Sequence, residues 1–108
     1  MSRNLIEVIV DRPLGSRHPD YPDTVYELNY GYVPNILGGN GEEQDAYIFG
    51  VGEPTLEFVG KLVAVIKRKN DRENKWVVAP IDLYPSEDDI HTAVDFIEKH
   101  FESDIIML

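Results

Sequence analysis

The sequence predicts a mainly β protein of the α+β class: a small closed or partly open β-barrel with one C-terminal α-helix. Three observations carry that expectation. Short runs rich in β-branched and aromatic residues recur up to Ile81, separated by turn residues. A single stretch of helical periodicity follows, from Ser86 onward. The length of 108 residues suits one modest core, so residues 1–108 are expected to form a single domain.

Leu5-Ile6-Glu7-Val8-Ile9-Val10 reads as a first strand, stopped by Asp11-Arg12-Pro13. Pro13, Gly15, Ser16, Pro19 and Pro22 then predict an irregular connection, a loop placed to lie over a site. In Thr24 to Pro34, Tyr26, Tyr30 and Tyr32 fall at even positions and share one face if the segment is extended. Gly38-Gly39-Asn40-Gly41 is a tight-turn sequence, after which Asp45 to Val51 returns to strand character. Beyond Gly52-Glu53-Pro54, Leu56 to Lys67 reads as a long strand, and Lys75 to Ile81 pairs back across a polar turn, Asn70 to Asn74. Ser86 is a candidate N-cap, with Glu87, Asp88 and Asp89 suited to the positive end of a helix dipole. Ile90, Ala93, Val94, Ile97 and Phe101 form the apolar face of that helix, with Asp95 and Lys99 opposite and His100 near its end.

Composition narrows the function. At 43% hydrophobic and 28% charged residues, with no biased tract, the chain reads as an ordinary soluble protein. No apolar run approaches bilayer-spanning length, so no membrane is expected. The N-terminus passes straight into strand-like sequence without a signal-peptide apolar region, and the expected compartment is cytoplasmic. Cysteine is absent, which excludes disulfides, thiolate zinc sites and a cysteine nucleophile. The net charge of −10 repels a phosphate backbone, so no nucleic acid partner is expected. Five of the ten basic residues, Lys67, Arg68, Lys69, Arg72 and Lys75, nevertheless fall within nine positions. Such a cluster is either a solvated strand end or an anion site.

Three segments could carry chemistry. Glu42 and Asp45 leave the glycine turn just before an apolar strand, and carboxylates so presented suit hard cations such as Mg²⁺ or Mn²⁺; a solvated acidic turn is the plain alternative. Asp71 through Lys75 combines carboxylates (Asp71, Glu73) with cations (Arg72, Lys75), the mixture a metal–phosphate site needs and also a common surface hairpin tip. The third is Asn29-Tyr30-Gly31-Tyr32, whose hydroxyls could donate to phosphate, although strand tyrosines more often build a core. His18, His91 and His100 form no metal-ligand spacing, and Ser16 has no adjacent base.

Taken in order, these segments resemble the soluble (family I) inorganic pyrophosphatases. Asp11-Arg12-Pro13-Leu14-Gly15-Ser16-Arg17 resembles the family's E-x-P-x-G-S-x loop, and Asn29-Tyr30-Gly31-Tyr32-Val33-Pro34 its N-Y-G-x-I-P segment. Asn40-Gly41-Glu42-Glu43-Gln44-Asp45 falls at the D-G-D-P-x-D signature, and Glu73-Asn74-Lys75-Trp76-Val77-Val78-Ala79-Pro80 resembles D-x-K-x-x-A-V-P. Four blocks in the right order are far more specific than any one of them. The resemblance implies an OB-like barrel and Mg²⁺-dependent (Mn²⁺ as alternative) hydrolysis of diphosphate to two phosphates. It implies metal ligation by Asp45, Glu73, Asp11 and Glu42, with Glu42 and Asp45 as the catalytic pair and Glu42 assisting the attacking water. It implies phosphate contacts from Lys75, Tyr30 and Arg17. The implied partner is pyrophosphate or another phosphate-containing small molecule, and family members usually form homo-oligomers.

The departures describe a reduced active site. Asn40 stands where the family has a metal-ligand aspartate, and Glu42 and Glu73 are each one methylene longer than the aspartates they replace. Displacements of that size can cost about a hundredfold in rate. Arg68 stands around the position of a further metal aspartate of the family, unless Asp71 substitutes from the turn. The stretch between Arg17 and Tyr30 is too short for the usual hairpin with its phosphate-binding lysine and arginine, Pro19 or its neighbours standing there instead. A catalytically inactive relative that binds a phosphorylated ligand or a protein partner is therefore the alternative reading.

Overall fold

A computed structural model describes residues 5–39, 41–69 and 73–108. Asn40, Asp71 and Arg72 lie outside the described residues, and with them the expectations placed on Asn40 and Asp71. The element order is β1 (Leu5–Arg12), β2 (Asn29–Leu37), β3 (Glu43–Ile48), β4 (Glu57–Arg68), β5 (Asn74–Ala79), α1 (Glu87–Glu98) and β6 (Ser103–Met107).

The strands run in the order β1-β2-β3-β5-β4-β6, and a further β1–β4 pairing closes the first five into a mixed barrel. The length of β4 makes the closure possible. Its first half, Glu57 to Lys61, pairs with β1, and its second half, Ala64 to Arg68, pairs along the same edge with β6. The expected hairpin of β4 and β5 forms, and β5 then lies parallel to β3. The structure is thus the mainly β, OB-like barrel with a helix that the sequence predicts, plus one strand outside the barrel.

Side chains alternate between two cores. Val8, Val10, Val33, Ala46, Ile48 and Val78 fill the barrel interior. On the outer face, Tyr47, Ala64, Ile66, Val77 and Ala79 meet Ile90, Val94 and Phe96 of α1. The helix begins with a capping box in which Ser86 Oγ accepts from Asp89 N at 3.1 Å and Ser86 N donates to Asp89 Oδ2 at 2.9 Å. A cap of this kind stabilises by about 1 kcal/mol.

The structure corrects the sequence reading at the end of the helix. Helical spacing assigns Phe101 to the apolar face of α1, but the helix ends at Glu98 and Phe101 lies beyond it with the Arg68 guanidinium 3.8 Å over its ring. Residues 13–26 carry no regular strand, as the sequence predicts, but the irregular connection doubles back as a narrow hairpin with one isolated bridge, Arg17 to Val25. Its legs are tied by Gly15 N to Tyr26 O (2.8 Å), Tyr26 N to Ser16 O (2.8 Å) and His18 N to Thr24 O (2.9 Å).

Two residues of the Asn29–Pro34 segment position its neighbours. Asn29 is fully buried; its Oδ1 accepts from Leu14 N and Thr55 N, and its Nδ2 donates to Glu53 O. It clamps two loops at the root of β2. At Gly31 a Cβ would fall 1.8 Å from Ile9 O, so only glycine admits β1 at this distance. Opposite it the β1 register slips between Val10 and Arg12, leaving Asp11 in a bulge. Bulges re-aim side chains.

Candidate functional site

Strand register assembles the site on the outer face of the barrel. Tyr32 pairs with Asp45 across β2 and β3, Tyr30 pairs with Tyr47, and the parallel register of Ala46 with Trp76 sets Asp45 beside Lys75. Glu73 lies two residues before Lys75, the spacing that returns to the same face of an extended chain.

Lys75 is the hub. Its side chain is 5% exposed, and Nζ donates to Asp45 Oδ2 at 2.6 Å, Glu73 Oε1 at 2.8 Å and the Tyr30 hydroxyl at 2.9 Å. An ammonium has three protons, and these three acceptors use them all. The two carboxylates are 27% and 25% exposed, so the cluster is sealed behind the lysine and open in front of the acids.

The electrostatics follow from that arrangement. Burial works to raise the Asp45 carboxyl, but hydrogen bonds from Glu73 and Lys75, the lysine charge and the Tyr30 hydroxyl outweigh it and hold Asp45 below its ordinary value. Glu73 moves the other way, raised first by its hydrogen bond with Asp45 and then by burial, against the pull of Lys75. The two shifts are opposed, so Asp45 gives up its proton before Glu73 does as the pair ionises. Tyr30 is pushed far up by burial and by the Asp45 charge, so its hydroxyl stays protonated and can donate.

The remaining expected residues are placed differently. Asp11 projects from its bulge beside Arg12, with Arg12 Nη1 4.0 Å from its carboxylate; burial raises it, Arg12 opposes, and Asp45 is near enough to add a smaller upward push. Glu42 is exposed in the turn before β3, where its carbonyl accepts from Gly38 N at 2.7 Å. Arg17 is exposed on the 13–26 hairpin and donates from Nη1 to Pro22 O at 2.7 Å. The structure therefore brings Tyr30, Asp45, Glu73 and Lys75 together, leaves Asp11 within electrostatic range, and holds Arg17 on its own hairpin.

Sequence reasoning missed a second network beside the first. Glu98, on α1, accepts from Arg68 Nε at 3.1 Å, from Arg68 Nη2 at 2.7 Å and from the Tyr47 hydroxyl at 2.8 Å. Partners 30 and 51 residues apart leave no local pattern that could have revealed it. It also missed a cleft of about 680 Å³, lined in part by Lys75, Tyr30, His18, Tyr21, His100 and Phe101.

Among the described residues, no three His, Cys, Asp or Glu side chains converge closely enough to hold a metal ion by themselves. Two adjacent carboxylates are present, and Mg²⁺ is commonly bound through one or two carboxylates with substrate phosphate and water completing its shell. The hard oxygen donors of Asp45 and Glu73 fit that mode.

No family model matches the sequence, and no curated protein does. Solved structures do. An inorganic pyrophosphatase from Ehrlichia chaffeensis superposes with a TM-score of 0.73 over 99% of this chain and 88% of that one, at 14% identity. The chain has the inorganic pyrophosphatase fold. A pyrophosphatase from Neisseria gonorrhoeae gives 0.68 over 89% and 70% of the two chains at 20% identity, and one from Thermus thermophilus gives 0.63 over 97% and 82% at 15%. Identities this low carry the pyrophosphatase fold and not the chemistry performed on it. No helix among the described residues is long and apolar enough to cross a membrane.

Proposed function

We propose that the chain is a Mg²⁺-dependent hydrolase of phosphoanhydrides, diphosphate being the simplest substrate, working with a reduced set of ligands on the pyrophosphatase fold. The observation that carries this reading is the Lys75 ammonium held between Asp45 and Glu73. Two carboxylates already spaced around a cation form a ready seat for another one.

In this reading Asp45 and Glu73 hold the metal, with Asp11 approaching from the β1 bulge and Glu42 assisting the attacking water from its turn. When bound, the divalent ion supplies a water activated as nucleophile and neutralises phosphate charge. Drawing the two carboxylates away from Lys75 releases its protons for phosphate oxygens. Tyr30, kept protonated, donates beside it, and Arg17 supplies an outer contact. Water gives a proton to the Glu42 carboxylate as its oxygen bonds phosphorus, the bridging P–O bond breaks with its electron pair left on the departing phosphate, and two phosphates leave.

The test is phosphate release from pyrophosphate with Mg²⁺ or Mn²⁺, run beside Asp45→Ala. Metal-stimulated release abolished by the substitution supports the hydrolase. A second reading, a non-catalytic binder of a phosphorylated ligand or a protein partner, is favoured by the absence of three converging acids among the described residues. Folded protein that binds pyrophosphate without releasing phosphate would select it.

A further inference from the structure

Lys75 and Tyr30 line only part of the cleft. Its volume of about 680 Å³ lies in the roughly 300–1,000 Å³ range that holds organic ligands, and inorganic pyrophosphate fills only a small fraction of it. Resting on the phosphate-site reading above, we propose that the cleft seats the base and sugar of a nucleotide whose phosphates reach Lys75. The phosphoanhydride handled here is then one carried on a nucleoside.

Aromatic geometry is the first support. His18 lies parallel to Tyr26, with ring centroids 6.0 Å apart and planes 5° apart, and Tyr21 adjoins His18 at 5.0 Å. The array ends in the open: Tyr21 is 67% exposed, on a wall of the cleft. Phe101, from the segment after α1, also lines the cleft, with one face of its ring already covered by the Arg68 guanidinium. Exposed rings lining a cleft give a planar base surfaces to stack on.

Charge polarity is the second. Lys75 lines one part of the cleft and Asp20 and Asp23 line the hairpin part, while Arg68, also in the lining, is already paired with Glu98. Carboxylates repel phosphate but accept hydrogen bonds from sugar hydroxyls and amino groups. A ligand that is anionic at one end and rich in donors at the other matches this distribution, and inorganic diphosphate does not.

The third is preorganisation. Thr24 N donates to Tyr21 O at 2.8 Å, Arg17 Nη1 to Pro22 O at 2.7 Å and Asp20 N to His18 Nδ1 at 3.1 Å. A wall ordered in advance loses less entropy when a ligand docks.

The experiment is titration calorimetry in Mg²⁺ with ADP, methyl diphosphate and pyrophosphate, each in its α,β-methylene form so that no bond is cleaved. ADP and methyl diphosphate carry matched charge, so their difference isolates the nucleoside. The expected result is binding of all three, with the ADP form about tenfold tighter than the methyl form. Tyr21→Ala, at an exposed position, should erase that advantage and leave the methyl form unchanged, with His18→Ala as a second variant of the same wall. Binding of pyrophosphate with no preference for ADP overturns the nucleotide inference and leaves the phosphate site standing. An ADP preference untouched by both variants overturns the assignment to this cleft. Failure of all three to bind folded protein overturns the phosphate site and the inference with it.

Discussion

On one face of the barrel two cations each sit in a network of carboxylate and phenol, and the two sites do different work. Arg68 forms a bidentate pair with Glu98, to which Tyr47 also donates; Lys75 holds Asp45, Glu73 and Tyr30. The networks adjoin, since the rings of Tyr30 and Tyr47 meet edge-on at 5.0 Å. Their exposure separates them. The Arg68 and Glu98 side chains are 8% and 6% exposed, so both charges are sealed, and a sealed pair fastens α1 to β3 and β4. At Lys75 the cation is sealed and its acids are open, which lets solvent or a second cation compete for them. Similar chemistry is structural in one place and exchangeable a few ångströms away because burial falls on different partners.

The largest way to break the comparison lies on the sealed side. Glu98→Ala would leave the Arg68 guanidinium buried without its carboxylate, which costs about 3–5 kcal/mol. In a domain of this size that lowers Tm by more than about 10 °C. An unchanged thermal melt would show that the pair does not anchor the helix. Asp45→Ala comes next. It should lower metal-stimulated phosphate release about 100- to 1,000-fold while costing only about 1–3 kcal/mol of stability. The tyrosines sharpen the contrast further. Tyr47→Phe should cost about 1 kcal/mol in denaturant unfolding, whereas Tyr30→Phe should raise KM for a phosphate substrate as well, read by steady-state kinetics.

The sequence shows the open network and hides the sealed one for a physical reason. Tyr30, Asp45, Glu73 and Lys75 sit in short segments that are each ambiguous alone; their order along the chain, through the resemblance it carries, singles them out, and adjacent strands bring the blocks together. Glu98 looks like one more acid on an amphipathic helix, and Arg68 like one more member of a basic run. Only the tertiary approach of α1 to the end of β4 joins them. The same limit hides β6, whose Ile105-Ile106 core lacks alternation and is held by pairing with β4 35 or more positions earlier. It also separates His18 from His100, which look unrelated along the chain and line a single cleft. The helical spacing at Phe101 is real, but its ring is taken by Arg68 once the helix has ended.

The smallest effect is a test of the two opposed shifts by pH. The carboxyl of Asp45 is held below 3.8, so its ionised form contributes stability that is present above that value and lost as pH falls through the lower folded value. Glu73 is raised above 4.5, so its contribution has the opposite sign: fully present below 4.5 and lost as pH rises through the raised folded value. Thermal melts from neutral pH down to about pH 3 should therefore show two gaps moving in opposite directions. Wild type should gain on Glu73→Gln as pH falls toward 4.5, because only wild type takes up the proton there. Below 3.8 its advantage over Asp45→Asn should shrink, because the unfolded chain takes up a proton there that the folded Asp45, paired with Lys75, still refuses. Each movement should be about 1 kcal/mol or less, since both carboxylates are a quarter exposed and solvent screens them. If both gaps moved together, the two acids would be titrating independently, and the site would be two surface carboxylates around a lysine rather than one pair able to exchange it for a metal.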